Sequence, residues 1–238
     1  GTRSLSPGLK SSSLRMPLDF KTTTHDGQLV TGAFEATWYW HTPSFFCPEQ
    51  IQRVTELCTE EPLVSGTVRS KGEISDIRKS LVSRYDHEEL YALVRNPMHE
   101  VNTLAGWDYD ITAIEPIQYT VYNGANDHYS WHTDTLDNDH LTSKGPDNIQ
   151  NGTVRKISCS IQLDSPSDYE GGDLEFVTGH TGTVSKDGKL QTSNLTMPQF
   201  KEKGSATFFP SFTYHQIKPV TKGLRRSLVI WFRGPKWR

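Results

Sequence analysis

The chain has 238 residues, of which 34% are hydrophobic, 22% charged and 11% aromatic. This length and this aromatic content allow a packed core and exclude wholesale disorder. No stretch reaches the ~18–20 consecutive apolar residues of a membrane-spanning helix, so no membrane partner is expected. The formal net charge of -3 gives no general attraction for phosphate backbones, so nucleic acid is disfavoured as a partner.

The cysteine content indicates the cellular location, and the N-terminal segment bears on where the domain begins. The three cysteines, Cys47, Cys58 and Cys159, are too few and too scattered for a disulfide framework. We therefore expect an intracellular, cytoplasmic protein. Residues 1–15 lack the long apolar segment of a secretory signal, and we interpret them as an artificial leader ahead of Met16. The remaining residues, 16–238, are predicted to form a single domain.

Two helices are predicted in the first half of the chain. Pro48 suits the first position of a helix that runs to about Thr59, whose apolar residues recur on one face. A second helix is predicted from about His87 to Ala105, with Gly106 as its stop signal. The two form a helical support over about residues 44–106.

From Tyr109 onward the pattern becomes typical of strands. Residues 156–163 alternate strictly, with aliphatic residues and Cys159 on one face and polar residues on the other. A strand is predicted for Ile111–Tyr122, which is rich in Ile, Tyr, Thr and Val. Three further strands are each bounded by Gly or Pro: Leu174–Val177, Ser205–Phe209 and Arg226–Phe232. Two polar segments are interpreted as surface loops or hairpin insertions: Asp137–Thr153 and Thr178–Gln199.

The order of these elements predicts the fold class. Helices followed by strands indicate an α+β domain with the helices packed on one side of a sandwich or barrel. The strand spacing agrees with a double-stranded β-helix, or jelly roll, over about residues 109–233, with the N-terminal helices packed on one sheet. The mouth of such a jelly roll can hold a metal ion.

A metal site is indicated by His132 and Asp134, which lie where a strand is predicted to end. Residues two apart project from the same face of a strand, so both side chains can reach one ion. A stable site needs a third ligand from elsewhere. His215 is the best candidate, because it follows a strand and a turn and precedes Arg225 by ten residues. His128 would fit only if the backbone turned between it and His132.

This ligand set indicates a particular metal. Two histidines and one carboxylate leave three open positions on an octahedral ion, which suits Fe(II) with a bidentate co-substrate and O₂. Arg225, at the start of the following strand, could bind the far end of a dicarboxylate with two hydrogen bonds.

Several motifs occur in order along the chain: Ile117–Tyr122, His132-x-Asp134, Arg155–Leu163, Tyr169–Leu174, and His215 followed by Pro219–Arg225. Together they resemble the Fe(II)- and 2-oxoglutarate-dependent dioxygenases of the prolyl 4-hydroxylase type, in particular the microbial and phage branch called PKHD-type hydroxylases. The resemblance covers residues 34–232. An HxD pair alone is a weak signal, but its combination with the Glu-Gly-Gly turn and with the spaced histidine and arginine is specific.

The resemblance implies roles for six residues. Three are implied to bind iron and to be catalytic: His132, Asp134 and His215. Three are implied to bind 2-oxoglutarate: Arg225, Tyr122 and Ser158. Tyr119 is the alternative to Tyr122, because the spacing from Tyr122 to His132 is one residue longer than usual in the family. The implied cofactor is Fe(II), with 2-oxoglutarate and O₂ as co-substrates and ascorbate as reductant.

The implied reaction is hydroxylation of an unactivated C–H bond, with conversion of 2-oxoglutarate to succinate and CO₂. A prolyl residue in a peptide or protein is the expected substrate. The alternatives are a free amino acid, another small molecule or a nucleic acid as substrate of the same chemistry. A non-enzymatic jelly-roll module that binds a ligand or metal is the alternative outside enzymes. If the gene is phage-borne, the expected location is the host cytoplasm.

Overall fold

The structure, a computed structural model, describes residues 12–23, 29–66, 68–70, 73–135, 152–184 and 190–236. These ranges contain two α-helices, α1 (Pro48–Leu57) and α2 (Glu88–Leu104), and one 3₁₀-helix, Pro198–Lys201. Neither α-helix combines the length and apolar character needed to cross a membrane.

Sixteen β-strands lie in the same part of the chain. The first eight are β1 (Ser12–Thr23), β2 (Leu29–Thr42), β3 (Val64–Ser65), β4 (Val68–Ser70), β5 (Glu73–Ser75), β6 (Arg78–Lys79), β7 (Leu81–Tyr85) and β8 (Ala113–Ile114). The other eight are β9 (Ile117–Asn123), β10 (Asp127–His132), β11 (Thr153–Gln162), β12 (Tyr169–Gly171), β13 (Leu174–Val184), β14 (Leu190–Leu195), β15 (Ala206–Pro210) and β16 (His215–Pro235).

Two antiparallel sheets share the long strand β16. The larger sheet has the order β1-β2-β15-β11-β16-β9-β7-β3. In the smaller sheet β10 and β13 lie on either side of β16, with β6 beyond β10 and β14 beyond β13. The change of sheet occurs at Gly223, whose φ is +77° and whose Cβ, if present, would lie 2.1 Å from the Asp168 carbonyl oxygen. Only glycine fits there, and the same strand therefore carries His215 in one sheet and Arg225 in the other.

Two groups of buried side chains lie on opposite faces of the larger sheet. The first includes residues of both helices and of the sheet: Ile51, Val54, Leu57, Leu90, Val94, Met98, Val101, Ile157, Cys159, Ile161, Leu228 and Ile230. The second joins the two sheets and includes Tyr122, Leu174, Phe176, Phe209 and Ile217. Neighbours such as Phe208 and Phe209 fall in different groups, as expected for a strand with side chains on alternate faces.

Both predicted helices are present, with differences only at their ends. The first ends at Leu57 rather than at about Thr59, and the second spans Glu88–Leu104 rather than His87–Ala105. The expected order of helices before strands is wrong, because β1 and β2 precede α1 and extend the larger sheet through β15. Residues 12–15 of the predicted leader belong to β1, while residues 1–11 lie outside the described residues.

The later part of the chain also departs from the expected pattern. The strand predicted for Arg226–Phe232 is the second half of β16, because the chain crosses between sheets at Gly223 without leaving the extended conformation. The segment Thr178–Gln199 contains most of a hairpin formed by β13 and β14, one of the two predicted alternatives. The predicted loop Asp137–Thr153 lies outside the described residues except for its last two positions.

Candidate active site

Two histidines and one aspartate meet where β10 ends and β16 begins. His132 is the last residue of β10, His215 is the first of β16, and their Cα atoms are direct partners across the smaller sheet. The Asp134 carboxylate lies 3.6 Å from Nε2 of His132 and 3.7 Å from Nε2 of His215. One ligand atom from each residue lies within 4.8 Å of the other two, so the cluster can hold a metal ion.

Hydrogen bonds to the backbone orient both imidazole rings. Nδ1 of His132 lies 2.7 Å from the carbonyl oxygen of Ser130, and Nδ1 of His215 lies 2.8 Å from that of Thr213. A carbonyl can only accept, so Nδ1 carries the proton in each ring. In the neutral ring the unprotonated nitrogen is then Nε2, which in both residues is directed towards the carboxylate, as metal coordination requires.

The ionisation of the cluster also suits a metal. Burial alone would raise the pKa of Asp134, but His215, His132 and Arg155 lower it to about 2, aided by a 2.7 Å hydrogen bond that Ser158 donates to Oδ2. Burial and the neighbouring His215 lower the pKa of His132 to about 3. At neutral pH the cluster thus offers an ionised carboxylate and a neutral His132 ring.

Arg225 is a buried cation, with 2% of its surface exposed. Its Cα pairs with that of Tyr122, and its guanidinium carbon lies 5.3 Å from the Tyr122 ring centroid. Nη1 donates a long hydrogen bond of 3.4 Å to Ser227, and Nε has no hydrogen-bond partner among the described residues. No carboxylate in the described part of the chain forms an ion pair with Arg225. A buried guanidinium without a counter-ion is costly, and an anionic ligand would remove that cost.

The predicted Glu-Gly-Gly turn packs against this arginine. A Cβ on Gly172 would lie 2.8 Å from Cδ of Arg225 and 3.0 Å from Cγ2 of Val220, and the φ of Gly172 is +66°. A side chain there would displace the arginine stem, so the turn fixes the position of the guanidinium. The Tyr169 ring lies beside it: burial raises the pKa of Tyr169, and the charge of Arg225 acts in the opposite direction.

Polar side chains between the sheets leave several hydrogen-bonding atoms unused. Gln118 donates to Thr120 at 2.9 Å, and Gln162 donates to Ser160 at 3.1 Å. The amide oxygens of both glutamines and the indole N–H of Trp231 are buried without partners among the described residues. Since buried polar atoms are normally paired, this interior matches a polar ligand better than an apolar one.

A buried ionic network lies behind the cluster. Glu115 accepts hydrogen bonds from Arg155 at 2.7 Å and from Arg233 at 2.6 Å. Arg155 also stacks on Trp231, with its guanidinium carbon 3.7 Å from the ring, and contacts the carbonyl oxygen of Asp134 at 3.4 Å. The positive charge of Arg155 favours the ionised form of Asp134.

Ser158 does not lie where the family resemblance places it. Its register partner is Trp231, six residues beyond Arg225 on β16 or roughly 20 Å along an extended strand, so it cannot share a small ligand's carboxylate with Arg225. The Ser158 hydroxyl instead donates to Asp134 and contacts the Ser211 hydroxyl at 2.9 Å. Ser158 therefore orients the carboxylate of the cluster.

Tyr122, rather than the alternative Tyr119, faces the cluster. Tyr122 lines the same cavity as the cluster, whereas Tyr119 belongs to the core on the helix side of the sheet. Arg226 points to that side and donates to Asp164 with Nε at 3.0 Å. The side chains of Arg225 and Arg226 thus lie on opposite faces of the larger sheet.

The remaining histidine candidate lies outside the cluster. Both ring nitrogens of His128 contact backbone oxygens, those of Asn126 and Asp76, at 2.8 and 3.0 Å. Sequence reasoning missed the buried polar atoms of Gln118 and Gln162. The sequence does carry a signal for them, because both glutamines belong to rows of alternate polar residues on strands whose other face is apolar.

Comparison with known proteins identifies the family. A family profile described as the 2OG-Fe(II) oxygenase superfamily matches residues 117–233, the segment that contains every residue of the cluster and Arg225. The chain belongs to this superfamily. It is a 2-oxoglutarate-dependent dioxygenase of the PKHD type, and its chemistry uses Fe(II), 2-oxoglutarate and O₂.

Individual relatives agree with this assignment. A PKHD-type hydroxylase of Polaromonas sp. is 24% identical over 195 residues, which are 79% of this chain and 75% of the relative. A viral collagen prolyl hydroxylase from Paramecium bursaria Chlorella virus-1, solved with 2OG, has a TM-score of 0.54 at 16% identity, with 83% and 96% of the two chains covered. A Trichoplax adhaerens prolyl hydroxylase, solved with a hypoxia-inducible-factor peptide, has a TM-score of 0.58 at 16% identity, with 82% of each chain covered. The two solved structures establish the jelly-roll fold.

The residues present fit the two groups that this family requires. Two imidazole nitrogens and an ionised carboxylate are the donor set that non-haem Fe(II) oxygenases use. The unpaired guanidinium of Arg225 and the unused polar atoms between the sheets suit a small dicarboxylate.

Proposed function

We propose that this enzyme hydroxylates a prolyl residue in a peptide or protein, with His132, Asp134 and His215 as its Fe(II) ligands. The convergence of these three side chains, from two strands and the loop after β10, is the observation that carries the proposal. Fe(II) and 2-oxoglutarate, once bound, would allow O₂ to act as the oxidant, with one oxygen atom added to the substrate and the other to succinate as 2-oxoglutarate loses CO₂.

The protein's own contribution to metal binding is geometric. Backbone carbonyls accept hydrogen bonds from Nδ1 of both histidines, and the Ser158 hydroxyl donates to Oδ2 of Asp134. Three protein ligands leave the remaining positions of an octahedral ion for the co-substrates. Since the rings and the carboxylate are already oriented, little reorganisation is needed when the metal binds.

Arg225 and Tyr122 would bind the distal carboxylate of 2-oxoglutarate. The Arg225 guanidinium has an unused Nε–H, and Tyr122 pairs with it across the larger sheet. A charge-assisted bond in this buried site is strong because water does not compete for it. Placing the anchor on the same strand as His215 fixes the distance between the metal and the anchor.

The substrate class is supported by the relatives. The curated relatives are named PKHD-type hydroxylases, and several structural neighbours are prolyl hydroxylases, one of them bound to a peptide. Two other neighbours with TM-scores of 0.54 and 0.52 are a carbocyclase and an epimerase of nogalamycin biosynthesis, so the fold also serves small-molecule chemistry. Small molecules therefore belong in any substrate screen.

A mass-spectrometric screen tests the proposal. The enzyme, supplied with Fe(II), 2-oxoglutarate and ascorbate, is offered prolyl peptides, free amino acids and small molecules, and each is examined for the addition of one oxygen atom. We expect oxygen incorporation at proline in a subset of the peptides, together with succinate in equal amount. Oxygen addition only to free amino acids or small molecules would overturn the prolyl assignment. The absence of any succinate, even uncoupled, would overturn the catalytic site.

A further inference from the structure

Arg78 lies at the edge of the catalytic cavity, on the short strand β6 beside β10. Its guanidinium carbon is 4.7 Å from the centroid of the Tyr129 ring. Tyr129 in turn stacks on His132, with ring centroids 3.5 Å apart and planes inclined by 12°. Arg78 also lines the same cavity as the three cluster residues, so a positive charge lies one aromatic ring away from a metal ligand.

The side chain of Arg78 is held in place but keeps its charge available. Nε donates to Oγ of Ser80 at 2.9 Å, which fixes the plane of the guanidinium together with the stack on Tyr129. No ion pair joins Arg78 to a carboxylate in the part of the chain that the structure describes. The buried Arg155, by contrast, has Glu115 as a partner at 2.7 Å.

When Fe(II) and 2-oxoglutarate are bound, their charges and those of Arg225 and Asp134 cancel, so the positive charge of Arg78 has no counter-charge among them. The two positive charges of Fe(II) and the one of Arg225 equal the single negative charge of Asp134 plus the two of 2-oxoglutarate. Among the described residues that line the cavity, Arg78 is the one arginine or lysine and Asp134 is the one carboxylate. A positive charge fixed at the edge of a low-dielectric site attracts an anionic ligand.

We infer that Arg78 binds a carboxylate of the substrate and makes the enzyme selective for acidic substrates. This inference rests on the proposed function, since it assigns a substrate class to the same site. The planar guanidinium, stacked on an aromatic ring and held by Ser80, can donate two parallel hydrogen bonds to one carboxylate. The carboxylate could belong to an acidic side chain of a peptide or to the α-carboxyl group of a free amino acid.

Matched probes that differ only in this group test the inference. One arm compares blocked prolyl peptides carrying Asp or Glu near the proline with the same peptides carrying Asn or Gln. The other arm compares free L-amino acids with their amides. Binding is measured by anaerobic titration of the enzyme loaded with Fe(II) and 2-oxoglutarate, and turnover by succinate formation.

In the wild-type enzyme we expect the carboxylate member of at least one pair to be preferred roughly 10- to 100-fold in kcat/KM and in affinity. Arg78→Ala should reduce that preference to nearly none, and Arg78→Lys should retain only part of it. Ser80→Ala keeps the charge but releases Nε, so it should give a smaller loss of preference. The control Arg95→Ala removes an exposed arginine of α2 and should leave the preference unchanged.

The outcomes separate the two proposals. Wild-type enzyme that prefers no carboxylate probe, including the case in which no probe binds, overturns the role of Arg78. The same conclusion follows if the preference survives in Arg78→Ala. If the wild type also fails to bind Fe(II) and 2-oxoglutarate, the proposed function fails as well, and this titration is carried out before any probe is added.

Discussion

Both faces of strand β11 are buried, but one face is apolar and the other is polar. Ile157, Cys159 and Ile161 point to the helices and have at most 1% of their surface exposed. Ser158 and Gln162, on the other face, are equally buried. The first face is a packed core, and the second contains polar atoms without partners among the described residues.

This difference shows how a jelly roll can combine stability with a binding site. Burying apolar side chains against α1 and α2 contributes favourable free energy of folding. Burying polar atoms without partners costs free energy, and a ligand with complementary groups recovers it. We therefore expect changes on the helix side to affect stability and changes on the cavity side to affect ligand binding.

The largest effect is expected for His215→Ala. Removing one of two imidazole ligands should abolish stoichiometric Fe(II) binding and reduce succinate formation to background, since two remaining protein ligands hold the metal poorly. Anaerobic metal titration and a succinate assay measure both. The control is His128→Ala, on the same strand as His132 but outside the cluster, and full loss of activity in that variant would contradict the assignment.

Arg225→Ala should raise the KM for 2-oxoglutarate roughly 30- to 5,000-fold, because an anionic ligand loses its buried counter-charge, worth about 2–5 kcal/mol. Steady-state kinetics with 2-oxoglutarate as the varied substrate measure this shift. The neighbouring Arg226→Ala should leave that KM unchanged, although losing the ion pair with Asp164 should lower stability. If Arg225→Ala and Arg226→Ala changed the KM for 2-oxoglutarate equally, the two faces of the larger sheet would not act independently.

Ser158→Ala tests the role that the structure gives this hydroxyl. Since Ser158 donates to Asp134, its loss should weaken Fe(II) binding or lower kcat by about 10- to 100-fold, as removing a partner of a metal ligand commonly does. The KM for 2-oxoglutarate should stay within the range of the wild type. A selective rise in that KM would instead support the contact with 2-oxoglutarate that the family resemblance implies.

The smallest effect on catalysis is expected for Ile161→Ala, on the helix side. The variant should lose about 2–5 kcal/mol of unfolding free energy, since the truncation leaves a cavity in a packed core. Urea denaturation measures the loss. A changed KM for 2-oxoglutarate at temperatures where the variant is folded would mean that the core face also shapes the site.

The sequence predicted which side chains converge in the cluster better than it predicted the order of helices and strands. The three residues that the structure brings together were found from the HxD spacing, the later histidine and the family motifs. Such motifs are short and local, and few residue types can bind a metal. The role of Ser158 was predicted wrongly, since alternation gives the face of a strand residue but not its register against the neighbouring strand. The strand β1 was missed although Leu14, Met16, Leu18 and Phe20 alternate with other residues, because residues 1–15 were set aside as a leader. Arg78 was not identified because β6 is only two residues long.

The central claim is tested most directly by measuring whether 2-oxoglutarate binding depends on the metal. Calorimetric titration under anaerobic conditions, with and without Fe(II), compares the wild-type protein with Asp134→Ala. We predict one equivalent of 2-oxoglutarate bound to the metal-loaded wild type, and much weaker binding when either Fe(II) or the Asp134 carboxylate is absent. Equal affinity with and without Fe(II), or undiminished metal-dependent binding in Asp134→Ala, would contradict the account.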